Sequence, residues 1–191
     1  MKETLREKKE RALCVINALK CEYPDSDCTL KYDDPLQLLI ATQLAAQCTD
    51  ARVNMVTPAL FKKYPDVFAF AAADELELRE YIHSTGFYKN KSKNIIACCR
   101  KIIADFNAEV PKTMEELLTL PGVGRKTANL VLGDIFNIPG IVVDTHAGRI
   151  SRRLGFTKNT DPTKVEFDLL KNGRGKIESL ARAYAAHTRK Y

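Results

Sequence analysis

The chain has 191 residues, 45% hydrophobic and 28% charged, the balance of an ordinary globule with one large domain or two small ones. With 30 basic against 24 acidic residues the net charge is +6, a mild excess whose placement says more than its size. The longest apolar run, Val67 to Ala73, has seven residues, so membrane-spanning, collagen-like and disordered chains are excluded, and Met1–Arg11, dense in both charge signs, predicts no secretion signal.

Hydrophobic spacing is helical nearly throughout, which predicts an all-α fold. An N-terminal helix breaks at Tyr23-Pro24-Asp25. Asp34 before Pro35 reads as an N-cap with proline at the first helical position, opening an apolar helix that runs to about Gln47. Thr49 or Asp50 caps the next, with Val53, Val56 and Leu60 inside. A helix ending near Ser84-Thr85-Gly86 follows, then one with Ile95, Cys99, Ile102 and Phe106 on a single face. Thr113 with Glu116 and Thr163 with Glu166 have capping-box spacing. Only Gly140–Val143 reads as extended, too short for a sheet. Leu180, Ala183, Tyr184 and His187 fit a short amphipathic helix.

Charge is unevenly placed. Tyr81–Ala104 holds no acid but has Lys89, Lys91, Lys93, Arg100 and Lys101. Leu117–Thr160 has only Asp134 and Asp144 against Arg125, Lys126, Arg149, Arg152, Arg153 and Lys158. Two such stretches suit a phosphate footprint, and a solvated basic face gives the same pattern. The six cysteines, at 14, 21, 28, 48, 98 and 99, include no Cys-x-x-Cys pair, so a reduced, cytoplasmic setting is expected rather than a disulfide frame.

The most informative segment is Leu120-Pro121-Gly122-Val123-Gly124-Arg125-Lys126, between two helical patterns. Two glycines permit a tight turn and a close backbone approach. The following helix offers unpaired N–H groups and a positive dipole end, so a helix–hairpin–helix over about residues 113–136 can grip a nucleic-acid phosphate without reading sequence. Lys126 lies opposite the stripe Ala128, Val131, Leu132, Ile135 and Phe136, beside Leu130 and Gly133. Partial desolvation and the helix end both favour its neutral, nucleophilic form, whereas a plain surface lysine snorkelling past Leu130 fits the same spacing. A helix from Lys126 to Phe136 rises roughly 15 Å at about 1.5 Å per residue. The next eight steps can span up to about 26 Å, so Asp144 can return to the lysine's end. Its ordinary task there is to cap the helix Thr145–Leu154, which does not exclude charge stabilisation or proton transfer.

Leu120–Asn129 followed by Val142–Arg149 closely resembles endonuclease III, a family of helix–hairpin–helix DNA glycosylases with AP lyase activity. The likeness extends to Leu38–Asp50 and Gly86–Ile95 and covers roughly residues 10–171. The resemblance implies a two-lobed glycosylase fold, one lobe from 28 to 138 and the other from 1–27 plus 139–191. It implies that Lys126 attacks C1′ of a damaged nucleotide, that the Schiff base permits β-elimination, and that Asp144 assists. Oxidised pyrimidines are the expected lesions; a purine lesion or mismatched thymine remains an alternative, as does a DNA-binding module without catalysis. Gln47 would fill the vacated space in the duplex and Phe87 would act as the wedge, against the plainer readings of a helix-end glutamine and a core phenylalanine. Leu120, Gly122, Gly124, Arg125, Thr145, His146 and Arg149 would contact DNA, and Thr49 and Asp50 would line the base pocket or merely cap a helix.

The pattern departs from the family at one point. Its Cys-x6-Cys-x2-Cys-x5-Cys loop, which holds a 4Fe–4S cluster, has no counterpart after Cys99, so no metal or cofactor is expected of this chain. The expected partner is double-stranded DNA with damaged bases or abasic sites, met by a monomer in the cytoplasm, nucleoid-associated in a bacterium, with no membrane contact.

Overall fold

The computed structural model describes residues 3–22, 28–138 and 140–172. Every regular element among them is helical: α1 (Leu5–Glu22), α2 (Pro35–Leu44), α3 (Asp50–Lys63), α4 (Val67–Ala71), α5 (Glu75–Ile82), a 3-10 turn (His83–Thr85), α6 (Tyr88–Asp105), α7 (Met114–Leu117), α8 (Arg125–Phe136), α9 (Thr145–Arg153) and α10 (Pro162–Asn172). The helix expected around Leu180–His187 lies outside the described residues. The chain divides into two compact units, Thr29–Phe136 with α2–α8, and Met1–Cys28 with Asn137–Tyr191, which holds α1, α9 and α10.

The Thr29–Phe136 unit is organised around α2. Its sequence Leu38-Leu39-Ile40-Ala41-Thr42-Gln43-Leu44 is buried at every position, as a helix with apolar residues on all sides must be. Thr42 satisfies its hydroxyl on the Leu38 carbonyl at 2.7 Å. α3, α6 and α8 pack against this helix, and α4 and α5 close over α6. Leu60, Phe70, Leu78, Ile82, Ile95, Ile102 and Leu117 complete the core. The other unit has a smaller core of Ala12, Ile16, Ile141, Phe156, Val165 and Leu169.

Most helix starts follow local chemistry. Asp34 accepts from Gln37 N with Pro35 at the first position, Thr49 accepts from Arg52 N, and Thr113 from Glu116 N. Two expectations need correction. α2 stops at Leu44, three residues short of Gln47, because the chain turns through Ala45 and enters the left-handed region at Gln47, φ 55°. The cap of α10 is Asp161, which accepts from Lys164 N at 2.9 Å, and not Thr163 with Glu166. Pro162 decides this, since its fixed φ suits the first helical position and leaves the cap to the residue before it.

Candidate functional site

The hairpin between α7 and α8 is held from within. Leu120 is 3% exposed and Val123 is buried beside it, and a Val123 N–H to Leu120 carbonyl bond of 3.1 Å closes the turn. The Leu120 side chain thus faces the core, and only its backbone is available to a partner. The two glycines differ in kind. Gly122 has φ +76°, and a Cβ there would meet Gln43 Oε1 at 2.7 Å and Asn94 Cβ at 2.9 Å. Conformation and packing both require glycine at that point. A Cβ at Gly124 would meet nothing within 4 Å, so space at that position is open to another molecule.

α8 begins directly after Gly124, and Ala128 N bonds the Gly124 carbonyl at 2.9 Å. The amides ahead of Ala128, in the first turn, lie where a helix has no intrahelical acceptors to offer. Ala128, Asn129, Val131 and Leu132 are buried, Arg125 is half-buried and Lys126 is exposed. Lys126 thus projects from the face opposite the core stripe. The partial desolvation expected of it is not found, because Leu130 and Gly133 are themselves only half-buried and give it no cover.

Gln47, Phe87 and Gly122 line one cleft of about 150 Å³, together with Gln43, Asn90, Lys91 and Asn94. Gln47 and Phe87 both sit in the left-handed region, φ 55° and 49°, in loops that lead into α3 and α6. Phe87 is 62% exposed, so it is not a core residue despite its place after Gly86. Gln43 is buried among the cleft residues. Lys91 is 6% exposed and donates to the Leu44 and Thr85 carbonyls at 2.7 and 2.8 Å.

Lys91 corrects the reading of Tyr81–Ala104 as a basic surface. Arg100 donates to the Ala71 carbonyl and Lys101 pairs with Asp105, while Lys89 and Lys93 are exposed and make no such contact among the described residues. The signal for Lys91 was present: it precedes Ile95 by four residues and so falls on the apolar face of α6.

In the other unit Asp144 caps α9, its Oδ1 accepting from Ala147 N at 2.7 Å. Its Oδ2 carries no hydrogen bond among the described residues, so one oxygen is structural and the other is available. Thr145, His146 and Arg149 are exposed along the start of α9, with His146 Nδ1 at 3.4 Å from an Arg149 nitrogen. Thr49 serves as the cap of α3, and Asp50 accepts from the Thr29 hydroxyl. Cys98 and Cys99 are adjacent in α6, where burial pushes the Cys98 thiol up to about 11 and raises that of Cys99 as well. No group of three ligating side chains converges among the described residues.

Residues 40–174 match the HhH-GPD superfamily of base excision DNA repair proteins. Endonuclease III of Synechocystis sp. is 59% identical over 165 residues, 86% of this chain and 75% of that protein. A solved non-covalent endonuclease III–DNA complex matches with a TM-score of 0.86 and 41% identity, covering 92% of this chain and 84% of that one. A trapped endonuclease III–DNA covalent intermediate matches equally well, at 0.86 and 41%, covering 92% and 83%. Helical fold, hairpin and family likeness agree: the chain belongs to the endonuclease III family of the HhH-GPD superfamily, base excision repair DNA glycosylases with AP lyase activity.

Proposed function

We propose that this chain binds duplex DNA carrying an oxidised or saturated pyrimidine or an abasic site, removes the base through Lys126, and cleaves the strand by β-elimination. The observation that carries this reading is an exposed lysine in the first turn of α8, directly after the open Gly124. Backbone amides of Gly122, Gly124 and Arg125 grip a phosphate, the positive end of α8 adding to the attraction. Gln47 and Phe87, lining one cleft, enter the stack as the target nucleotide leaves it. Thr49 and Asp50 line the base pocket, and Thr145, His146 and Arg149 steady the backbone.

Lys126 gives up an ammonium proton, for which the Asp144 carboxylate is the acceptor, and its amine attacks C1′. The N–C1′ bond forms as the glycosidic bond breaks, and the base departs with the electron pair and takes up a proton. The sugar ring opens to an iminium. Loss of a C2′ proton then expels the 3′ phosphate with the C3′–O electrons, and water hydrolyses the imine to restore the lysine. The available Oδ2 of Asp144 offsets positive charge developing on the sugar and accepts a proton, while Oδ1 stays with Ala147 N. No step uses a metal, and we propose that the chain holds no 4Fe–4S cluster, a reading supported by the lack of the four-cysteine spacing in its sequence. It acts as a monomer in the cytoplasm, near the nucleoid in a bacterium. Among the described residues no helix is long and apolar enough to cross a membrane.

Borohydride trapping on a duplex with one abasic site tests this reading. The native chain is expected to form a covalent adduct and Lys126→Gln none, a loss of about a thousandfold or more. No adduct from a folded native chain that binds the duplex would overturn it.

A further inference from the structure

Gln47 and Phe87 are 40 residues apart in sequence, yet one side chain ties the stems of their loops together. Leu44 is the last residue of α2, three before Gln47. Thr85 ends the 3-10 turn, two before Phe87. Lys91 Nζ donates to both carbonyls, at 2.7 and 2.8 Å. Each carbonyl closes a helical segment, where acceptors lack intrahelical donors and the dipole is negative, so an ammonium is the fitting partner for both.

Other hydrogen bonds at these loops are local. Ala46 N bonds Gln43 O and Cys48 N bonds Ala45 O in the first, and Gly86 N bonds His83 O in the second. Lys91 supplies the link between them, and it lines the same cleft as Gln47 and Phe87. Keeping a lysine in such a buried place has a cost. Burial lowers its pKa from the ordinary lysine value, opposed only by the nearby Cys48 sulfur. A carbon chain of similar length would fill the space without that penalty but would leave two carbonyls unmet.

We infer that Lys91 is a positioning residue for base extrusion, its buried ammonium fixing the separation at which Gln47 and Phe87 enter the duplex. This rests on the reading that those two residues penetrate the stack. Two loops held at a set distance lose little freedom on binding, whereas untied loops must be ordered at the moment of insertion. Lys91 is buried with its ammonium on the two carbonyls, so its effect passes through the loops.

The test reads unstacking directly. A duplex carries 2-aminopurine opposite a tetrahydrofuran abasic analogue, and fluorescence rises when the purine leaves the stack. The native full-length chain at saturation is expected to brighten the probe, and Phe87→Ala to lose most of that rise. Lys91→Met should lower the rise about fivefold or more, while affinity, which the hairpin supplies, changes by less than about threefold. Lys91→Arg, able to serve both carbonyls, should restore at least about half of the signal. If Lys91→Met does not fold, Lys91→Gln replaces it with the same expected loss. A native-sized rise in either folded variant overturns the inference. So does a parallel fall in melting temperature, affinity and fluorescence, which would mark Lys91 as a general support of the fold. A native chain that binds without brightening the probe would instead overturn the insertion of Gln47 and Phe87, and the inference with it.

Discussion

The two units hold their functional residues by different means. In Thr29–Phe136 the hairpin and Lys126 rest on a helix, α2, buried on every side, and on an α8 whose inner face is apolar. In the other unit Asp144 lies beside a smaller core, six buried side chains among the described residues, supplemented by polar ties. Asp168 accepts from the Thr157 hydroxyl at 2.6 Å and the Asn159 amide at 2.7 Å, bracing the segment after α9 against α10. Arg11 of α1 donates to the Leu154 carbonyl at 2.6 Å, with its guanidinium 4.6 Å from the centre of the Phe156 ring. Apolar burial is indifferent to pH, whereas carboxylate ties are not. The lysine therefore sits on the more robust support and the carboxylate on the more adjustable one.

That contrast can be broken most forcefully in the cores. Leu38→Ala, at a fully buried position of α2, is expected to cost about 3–5 kcal/mol, and Leu169→Ala in α10 about 2–3 kcal/mol where the smaller core can collapse. Urea denaturation followed by circular dichroism measures both. Equal losses in a single transition would show that the units fold as one and would remove the distinction.

Within the robust unit, the hairpin glycines sharpen the same point. Gly122→Ala should destabilise by about 2–3 kcal/mol, combining a left-handed backbone with the collision against Gln43 and Asn94. Gly124→Ala should change stability by no more than about 0.5 kcal/mol, yet weaken duplex binding. Thermal melts and a binding titration separate the two. If Gly122→Ala is harmless, the hairpin is less rigid than its packing indicates.

The smallest effect is the pH response. The Thr157 hydroxyl, followed by the Asn159 amide, holds the Asp168 carboxyl below the ordinary carboxylate range, against the opposing effect of burial. A carboxyl with a lowered folded pKa contributes stability that is full above the unfolded value, about 3.8, and is lost as pH falls through the folded one. Protection factors at α9 and α10, corrected for the intrinsic exchange rate, should accordingly fall as the pH drops below about 4 in the native chain. Asp168→Asn should flatten that dependence, and an unchanged profile would detach Asp168 from the acid response.

Much of this architecture was legible in the sequence where its cause is local. Asp34-Pro35 and Asp144 announce helix starts because a carboxylate meets amides two or three residues away. The hairpin was legible because its turn demands glycine. The end of α2 was not, since Ala45-Ala46-Gln47-Cys48 contains neither glycine nor proline to stop a helix. The partner of the Leu44 carbonyl, Lys91, lies 47 residues beyond it and meets it only in the folded chain. Charge alone counts Lys91 among surface cations, although its place four residues before Ile95 marks the apolar face of α6. Partial cover and plain exposure of Lys126 both fitted the sequence, because helical spacing gives the face a residue occupies but not how far neighbouring elements cover it.

The bond from Arg11 to Leu154 spans 143 positions in sequence, and it bears on how the protein is made. At about 5–20 residues per second, α1 leaves the ribosome on the order of ten seconds before its partners α9 and α10 exist. In that interval Thr29–Phe136 already holds its own core, whereas Ala12 and Ile16 have nowhere to go. Synthesis thus builds the lysine's support first. For those seconds the nascent chain presents a lone amphipathic helix, a natural target for chaperones, until its other end arrives to cover it.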